Sequence, residues 1–85
     1  MSERFELIGD QGDTSGHLRL AYGSGPDDPT PFVITLTRQY VARALGKMAP
    51  ISFNEIERYA DDNAGDLRAM ALLEKGTGRL NLILV

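Results

Sequence analysis

The chain contains no cysteine and no tryptophan, and His17 is the one histidine among its 85 residues. Without cysteine, a disulfide framework, a thiolate metal site and a cysteine nucleophile are all excluded. Any Ser-His-Asp system would have to use His17. Ser15 precedes it by two residues, and in a strand such residues share a face rather than meet as nucleophile and base. The sequence therefore predicts no catalytic residue.

Basic residues are outnumbered, because nine Lys and Arg stand against twelve Asp and Glu, a formal net charge of −3. Binding to nucleic acid or anionic lipid through bulk charge requires a basic surface. Arg38, Arg43, Arg58 and Arg68 are interspersed with acidic residues rather than clustered. We therefore expect no nucleic-acid partner.

Long apolar runs are also missing, since none approaches the roughly 20 residues needed to span a bilayer. The N-terminal residues do not show the charged and then apolar pattern of a secretory signal. We therefore expect no membrane association and a cytoplasmic location.

The composition is that of a folded globule, with 42% hydrophobic and 25% charged residues. The length predicts a single domain covering residues 1–85. A domain this small buries a limited fraction of its surface and has neither disulfides nor a predicted metal to support it. Self-association as a homodimer is therefore expected.

Two segments alternate polar and apolar residues with the period of a half-buried strand, and a third is rich in β-branched residues. They cover residues 4–8, 17–22 and 32–36. The intervening residues 9–16 and 23–31 are rich in Gly, Pro, Ser and Asp, which is typical of loops. The pattern predicts a three-stranded antiparallel meander.

The period changes to that of a helix after Thr37, with Val41 and Leu45 at helical spacing. Thr37 is predicted as the N-cap and Gly46 as the residue after the C-cap. Met48-Ala49-Pro50 is then predicted to break the chain.

A second helix is predicted to begin at Phe53. Ser52 and Glu55 have the spacing of a capping box, and Ile51 and Ile56 occupy the positions of a hydrophobic staple. Helical spacing continues to Ala71, which favours one long helix ending at Lys75, although Gly65 in its middle costs about 1 kcal/mol relative to alanine. In the alternative, Gly65 ends the helix and residues 67–74 form a hairpin with the last segment around residues 76–78.

The final segment, residues 79–85, is predicted as a strand with two apolar faces. Such a strand lies either at the centre of a covered sheet or at a subunit interface. Together the elements predict an α+β fold of order β-β-β-α-α-β, in which a small four-stranded, mainly antiparallel sheet carries two helices on one face. The predicted core residues are Phe5, Leu7, Leu18, Leu20, Phe32, Ile34, Leu36, Val41, Leu45, Ile56, Leu67, Leu82 and Leu84.

The order of elements from Leu18 onward resembles a family of short proteobacterial proteins of unknown function. The matching positions are residues 31–37, Val41, Leu45, Tyr59, Leu67 and Ala71. The resemblance implies a compact α+β fold with no known activity, and it supplies no catalytic residue that could be transferred to this chain.

The first loop holds the one group of residues with the chemistry of a site, namely Asp10, Asp13 and His17. Two carboxylates and an imidazole are suited to binding a divalent cation or to acid-base catalysis. Their spacing does not match a calcium-binding loop. Because Asp and Gly also form ordinary turns, a plain connector is the favoured interpretation and a metal-dependent enzyme is an alternative.

These observations predict a small non-catalytic bacterial module, without metal or cofactor, that binds or regulates through protein–protein contacts. The expected partner includes a second copy, joined as a homodimer through the C-terminal strand. The alternative is a phage- or mobile-element-encoded inhibitor that presents an acidic surface to a basic host complex. That acidic surface would comprise Glu55, Glu57, Asp61, Asp62 and Asp66.

Overall fold

The computed structural model describes residues 5–48 and 51–85. Its elements are β1 (Glu6–Gly12), β2 (Leu18–Gly23), β3 (Phe32–Leu36), α1 (Arg38–Ala44), α2 (Phe53–Asp62), α3 (Ala64–Gly76) and β4 (Asn81–Leu84). The strands form one sheet in the order β1-β2-β3-β4. The first two pairs are antiparallel, whereas β4 runs parallel to β3. The predicted α+β class and the four-stranded, mainly antiparallel sheet are confirmed.

The long second helix of the prediction is divided in two, so the fold has three helices rather than two in the described residues. The break lies at Asn63, which is both the C-cap of α2 and the N-cap of α3. Its side-chain amide donates to the carbonyl of Tyr59 at 3.0 Å. Residues 66–75 are helical as favoured, and the hairpin alternative is wrong.

The first strand is longer than predicted, because β1 continues to Gly12 through residues assigned to a loop. Gly9 and Gly12 pair with Ala21 and Leu18, and the register shifts between Leu7 and Gly9, which is the signature of a bulge. Gly12 allows close packing, since a Cβ there would lie 2.8 Å from the ring of Phe53. Arg4, at the predicted start of this strand, lies outside the described residues.

The predicted helix caps are largely confirmed. The Thr37 hydroxyl accepts from the N–H of Tyr40 at 3.2 Å, and the Ser52 hydroxyl accepts from the N–H of Glu55 at 3.3 Å. Gly46 adopts the expected positive φ of 70°. The Glu55 carboxylate accepts a hydrogen bond from the Lys47 ammonium at 2.8 Å. It makes no hydrogen bond to the backbone N–H of Ser52 in the described residues, so one of the two bonds of the capping box is formed. Of the break predicted at residues 48–50, Met48 lies outside any helix and is exposed, while Ala49 and Pro50 lie outside the described residues.

The helices cover one face of the sheet and enclose the core there. Its buried hydrophobic residues are Phe5, Leu18, Leu20, Tyr22, Phe32, Ile34, Leu36, Val41, Ile51, Ile56, Ala60, Leu67 and Ala71. Leu82 and Leu84 are partly buried and pack against this core. The core prediction is wrong for Leu7 and Leu45, which are exposed. Leu7 lies on the edge strand β1, and Leu45 lies at the C-cap of α1.

Phe5 connects the beginning of the described chain to α3. Its buried ring stacks on Tyr22 with the ring centres 5.9 Å apart, and the Lys75 ammonium lies 5.2 Å from its centre. The Arg68 guanidinium donates through Nε to the carbonyl of Phe5 at 2.5 Å. These contacts fix the position of Arg68, which also borders the groove described below.

Candidate functional site

Asp13, one of the candidate ligands, closes the turn between β1 and β2. Its Oδ1 accepts from the backbone N–H of Ser15 at 2.9 Å and from that of His17 at 3.0 Å. The His17 N–H, followed by that of Ser15, lowers the pKa of this carboxyl despite partial desolvation. Arg19 lies 3.7 Å from the second oxygen. Asp13 is thus engaged in organising the turn.

His17 and Asp10 do not join Asp13 in a common site. The His17 Nδ1 accepts from the backbone N–H of Arg38 at 3.3 Å, so the imidazole satisfies a free donor at the start of α1. Asp10 lies on β1 opposite Leu20. Across residues 5–48 and 51–85, no three His, Asp or Glu side chains are grouped so that they could hold a metal ion.

A groove with a volume of about 300 Å³ lies between the β1–β2 hairpin and helices α2 and α3. Its apolar floor is formed by four strand residues, Leu7, Leu18, Leu20 and Tyr22. Small residues of the helices form the opposite wall, namely Ala60, Ala64 and Gly65. Burial raises the pKa of the Tyr22 phenol, which agrees with a floor of low polarity.

Four carboxylates surround this apolar floor. We call the groove, with its apolar floor and these carboxylates, the acid-rimmed groove. They are Glu6 and Asp10 on β1 and Glu57 and Asp61 on α2, with Arg68 as the one cation of the lining. Within the described part of the chain, none of the four carboxylates forms an ion pair or a side-chain hydrogen bond. Their charge is therefore not neutralised by direct contacts among these residues.

The groove exists because the helices pack mainly on β2 and β3 and leave most of β1 exposed. Gly65 contributes to the open space, since a Cβ built on it would meet no atom within 4 Å. Larger residues at Ala60 and Ala64 would fill the same space from the helical side. The sequence analysis missed the groove because it assigned Asp10 to a loop and placed Leu7 in the core.

The acidic residues predicted to form one helical surface are distributed among different surroundings. Glu57 and Asp61 border the groove, while Glu55 is paired with Lys47 and Asp62 lines a separate hollow beside α1. Lys47, through hydrogen bonding and charge, lowers the pKa of the Glu55 carboxyl. The predicted acidic helical surface is thus divided, and two of its five members, Glu57 and Asp61, border the groove.

The arginines are less dispersed than the sequence predicted. Arg38 and Arg43 of α1 line one hollow together with Lys47, whose ammonium is bonded to Glu55. Arg68 of α3 lies instead in the lining of the acid-rimmed groove. Arg58 lines a third hollow beside Asp62. The prediction that no nucleic acid binds stays a prediction.

The second candidate surface is the free edge formed by β4. Three apolar side chains at this edge are exposed, Leu80 at 57%, Ile83 at 60% and Val85 at 69%. Leu72 and Leu73, in the part of α3 that leads into β4, are exposed as well. The strand is apolar on both faces, as predicted, but it lies at the edge of the sheet rather than at its centre.

Asp28 organises the second loop, which the sequence analysis predicted over residues 23–31 from composition alone. Its Oδ2 accepts from the N–H of Ser24 at 3.0 Å, and its Oδ1 accepts from the N–H of Thr30 at 2.9 Å. These two backbone donors, in that order, lower the pKa of the carboxyl. Gly23 leaves room for it, because a Cβ there would lie 2.5 Å from Oδ2.

Acidification is expected to weaken the fold in part through Asp28. Since its pKa is lowered in the folded chain from the ordinary 3.8, its stabilisation is complete above about pH 5 and is lost as the pH falls through the folded-state pKa. Asp28→Asn should therefore show a smaller decline in the free energy of unfolding between about pH 6 and about pH 2.5 than the parent chain. Urea denaturation at each pH measures this decline, and equal declines would contradict the assignment.

Among the helices that the structure describes, none has the length and hydrophobicity needed to cross a bilayer. Comparison with family models, curated proteins and solved structures finds no match for this chain. The functional argument therefore depends on the two surfaces that its own residues form, the β4 edge and the acid-rimmed groove.

Proposed function

We propose that this chain is a non-catalytic binding or regulatory module that acts through protein–protein contacts and forms a homodimer along β4. The observation that carries the proposal is the free edge of β4, an uncharged strand bordered by exposed Leu80, Ile83 and Val85. An apolar edge strand that presents outward N–H and carbonyl groups readily pairs with another strand. A second copy supplies an identical edge, and a two-fold axis makes it self-complementary.

The hydrogen-bonding groups of β4 have a defined orientation. The N–H of Val33 bonds to the carbonyl of Leu80 at 3.1 Å, and that of Thr37 bonds to the carbonyl of Leu84 at 3.2 Å. In a parallel pair the bonded residues alternate along each strand. The N–H and carbonyl of Ile83 therefore face away from β3, where they are available to a second strand.

The opposite edge of the sheet is less suited to joining two copies. β1 carries a bulge between Leu7 and Gly9, and its side chains include Glu6 and Asp10. Bulges and charged residues are devices that discourage pairing between sheet edges. Two copies of β1 would also bring like charges together, so β4 is the edge at which we place the homodimer.

Ile83→Pro is expected to convert the dimer into a monomer. Proline removes the outward N–H of residue 83 and leaves the bonds between β3 and β4 in place, because an edge strand accepts proline where its N–H faces outward. Light scattering coupled to gel filtration should report twice the mass of 9.3 kDa for the parent chain and 9.3 kDa for the variant.

Ile83→Val is the matched control, since it keeps the N–H and most of the apolar surface and should remain dimeric. Circular dichroism of both variants establishes that the fold is retained. A parent chain that is monomeric at about millimolar concentration would refute self-association through β4. A dimer that survives Ile83→Pro would place the interface elsewhere.

The inhibitor with an acidic surface is retained as a second candidate function, because one observation favours it. Four carboxylates from β1 and α2 lie around one groove that has an apolar floor. A partner for such a surface carries positive charge and a long apolar stem. This candidate uses the β1 side of the sheet and is compatible with a dimer at β4.

A further inference from the structure

The acid-rimmed groove carries the whole charge imbalance of the chain. Its lining holds four carboxylates and one guanidinium, a net charge of −3, which equals the formal net charge of all 85 residues. The remaining acidic and basic residues balance each other. Four carboxylates against one guanidinium make the lining of the groove negative, and local charge of one sign steers and orients charged partners.

The shape and chemistry of the groove restrict what can occupy it. A volume of about 300 Å³ is at the lower end of the range for ligand pockets. The floor of Leu18, Leu20 and Tyr22 suits an aliphatic chain, while the rim suits a cation. Arginine and lysine combine these features, since they bury their stems along apolar surface and keep the charged head at its edge.

Arginine fits the rim better than lysine does. A planar guanidinium has five donors and can bind carboxylates in a bidentate manner, whereas an ammonium acts as a point charge. Asp10 and Asp61 come from different elements on two sides of the groove. A guanidinium between them has donors for both sides at once.

The neighbouring edge of the sheet indicates a polypeptide rather than a small cation. The groove opens beside β1, whose outer side is the other free edge of the sheet. An extended segment placed along such an edge is held by its main chain while its side chains enter adjacent pockets. Glu6 and Asp10, which repel a second β1, attract a basic segment, so the same charges select the partner.

We propose that the acid-rimmed groove binds an arginine side chain presented by an extended basic segment of a different protein. The inference deepens the proposed protein-binding function by giving the class of partner, and it uses a surface separate from the β4 edge. The apolar floor receives the aliphatic stem, and the carboxylates of β1 and α2 receive the guanidinium.

The first test measures binding of an eight-residue fluorescent peptide of alternating threonine and arginine by fluorescence anisotropy. The control peptide replaces each arginine by citrulline, which has the same shape without the charge. We expect the arginine peptide to bind at least tenfold more tightly than the citrulline peptide and to be weakened by added salt. Absence of binding by the arginine peptide at about millimolar concentration would overturn the proposal.

Two neighbouring carboxylates of α2 provide the matched variants. Asp61→Asn removes a charge at the groove, whereas Asp62→Asn removes the same charge from a different hollow. We expect Asp61→Asn to weaken binding about fivefold and Asp62→Asn to change it less than about twofold. Equal losses in the two variants would show attraction by bulk charge and would overturn the proposal.

Gly65→Leu tests the groove itself without weakening the helix. The open space around this residue accepts a side chain, and leucine is a stronger helix former than glycine. The variant should remain folded and lose at least tenfold in peptide affinity, because the new side chain occupies the groove. Unchanged affinity in folded Gly65→Leu would contradict the proposed location.

Competition with a polyamine distinguishes a protein segment from a small cation as the partner of the groove. Spermidine, measured by competition with the labelled peptide, should displace it only weakly, because it lacks a main chain to lie along β1. Displacement by spermidine as effective as by unlabelled peptide would overturn the protein-segment proposal. The peptide measurements are repeated in the Ile83→Pro variant, where retained binding shows that the groove functions whether or not the β4 dimer exists.

Discussion

Phe32→Ala is expected to remove a large part of the free energy of unfolding. Phe32 is buried to 1% exposure on the helix-covered face of β3, opposite Tyr22. Removing a buried phenylalanine ring costs about 3–5 kcal/mol. The cost combines the lost free energy of transferring the ring from water into the core with the free energy of the cavity that the ring leaves behind. A domain of this length has a total stability of only about 4–13 kcal/mol. The loss is therefore a large part of the whole.

The adjacent residue on the same strand supplies the control. Val33 is half-buried and points to the face of the sheet that the helices do not cover. Val33→Ala should cost about 1 kcal/mol, since less apolar area leaves the protein environment. Urea denaturation followed by circular dichroism compares the two variants. Equal losses of stability in Phe32→Ala and Val33→Ala would mean that the face of the sheet without helices is buried as fully as the face that the helices cover.

The elements with local signals could be predicted from the sequence. Thr37 and Ser52 are caps whose hydroxyls act within three residues, and Gly46 ends α1 through its own backbone conformation. The alternation of Leu18, Leu20 and Tyr22 fixed which face of β2 is buried. Such features depend on a few neighbouring residues, so a single chain is sufficient to reveal them.

Features that depend on pairing between distant segments were not predictable in the same way. Gly9 and Gly12 have loop composition, yet both lie in β1 because β2 offers a partner and Phe53 packs closely over Gly12. Tertiary contacts override composition at these positions.

The acid-rimmed groove illustrates why a site of this kind escapes a search for motifs. Its residues come from two parts of the chain, the hairpin of β1 and β2 and the helices α2 and α3, which are separated in the sequence by β3 and α1. The one local signal is the small-residue cluster of Ala60, Ala64 and Gly65, which marks a helical surface without bulky side chains. Whether this helical surface packs closely or borders a groove depends on the side chains of the strands opposite it, which the sequence around the helices does not specify.

The second large effect is expected from Thr37→Val. The hydroxyl of Thr37 donates to the carbonyl of Leu84 at 2.6 Å and accepts from the N–H of Tyr40 at 3.2 Å. Valine has nearly the same shape but makes neither bond, and the residue is only 4% exposed. Loss of the cap and of a buried hydrogen bond should cost about 2–3 kcal/mol in the free energy of unfolding.

Thr37→Ser separates the hydroxyl from the methyl group, because serine keeps both bonds and loses one methyl. It should cost about 1 kcal/mol, less than valine does. If the two variants lose equal stability, packing of the methyl group rather than hydrogen bonding holds this position. Urea denaturation of the three proteins gives the comparison.

Thr37 also joins the two halves of the fold, since β4 is held to the end of β3 by two bonds to the carbonyl of Leu84. Thr37→Val removes one of them and leaves the backbone bond from the N–H of Thr37. Amide exchange should therefore accelerate most in β4, at the N–H groups that face β3, and less in the hairpin of β1 and β2. Because a loosened β4 presents a poorer edge, the variant should also dimerise more weakly than Thr37→Ser. Uniform acceleration across the whole sheet would show that the hydroxyl supports global stability without a particular role at β4.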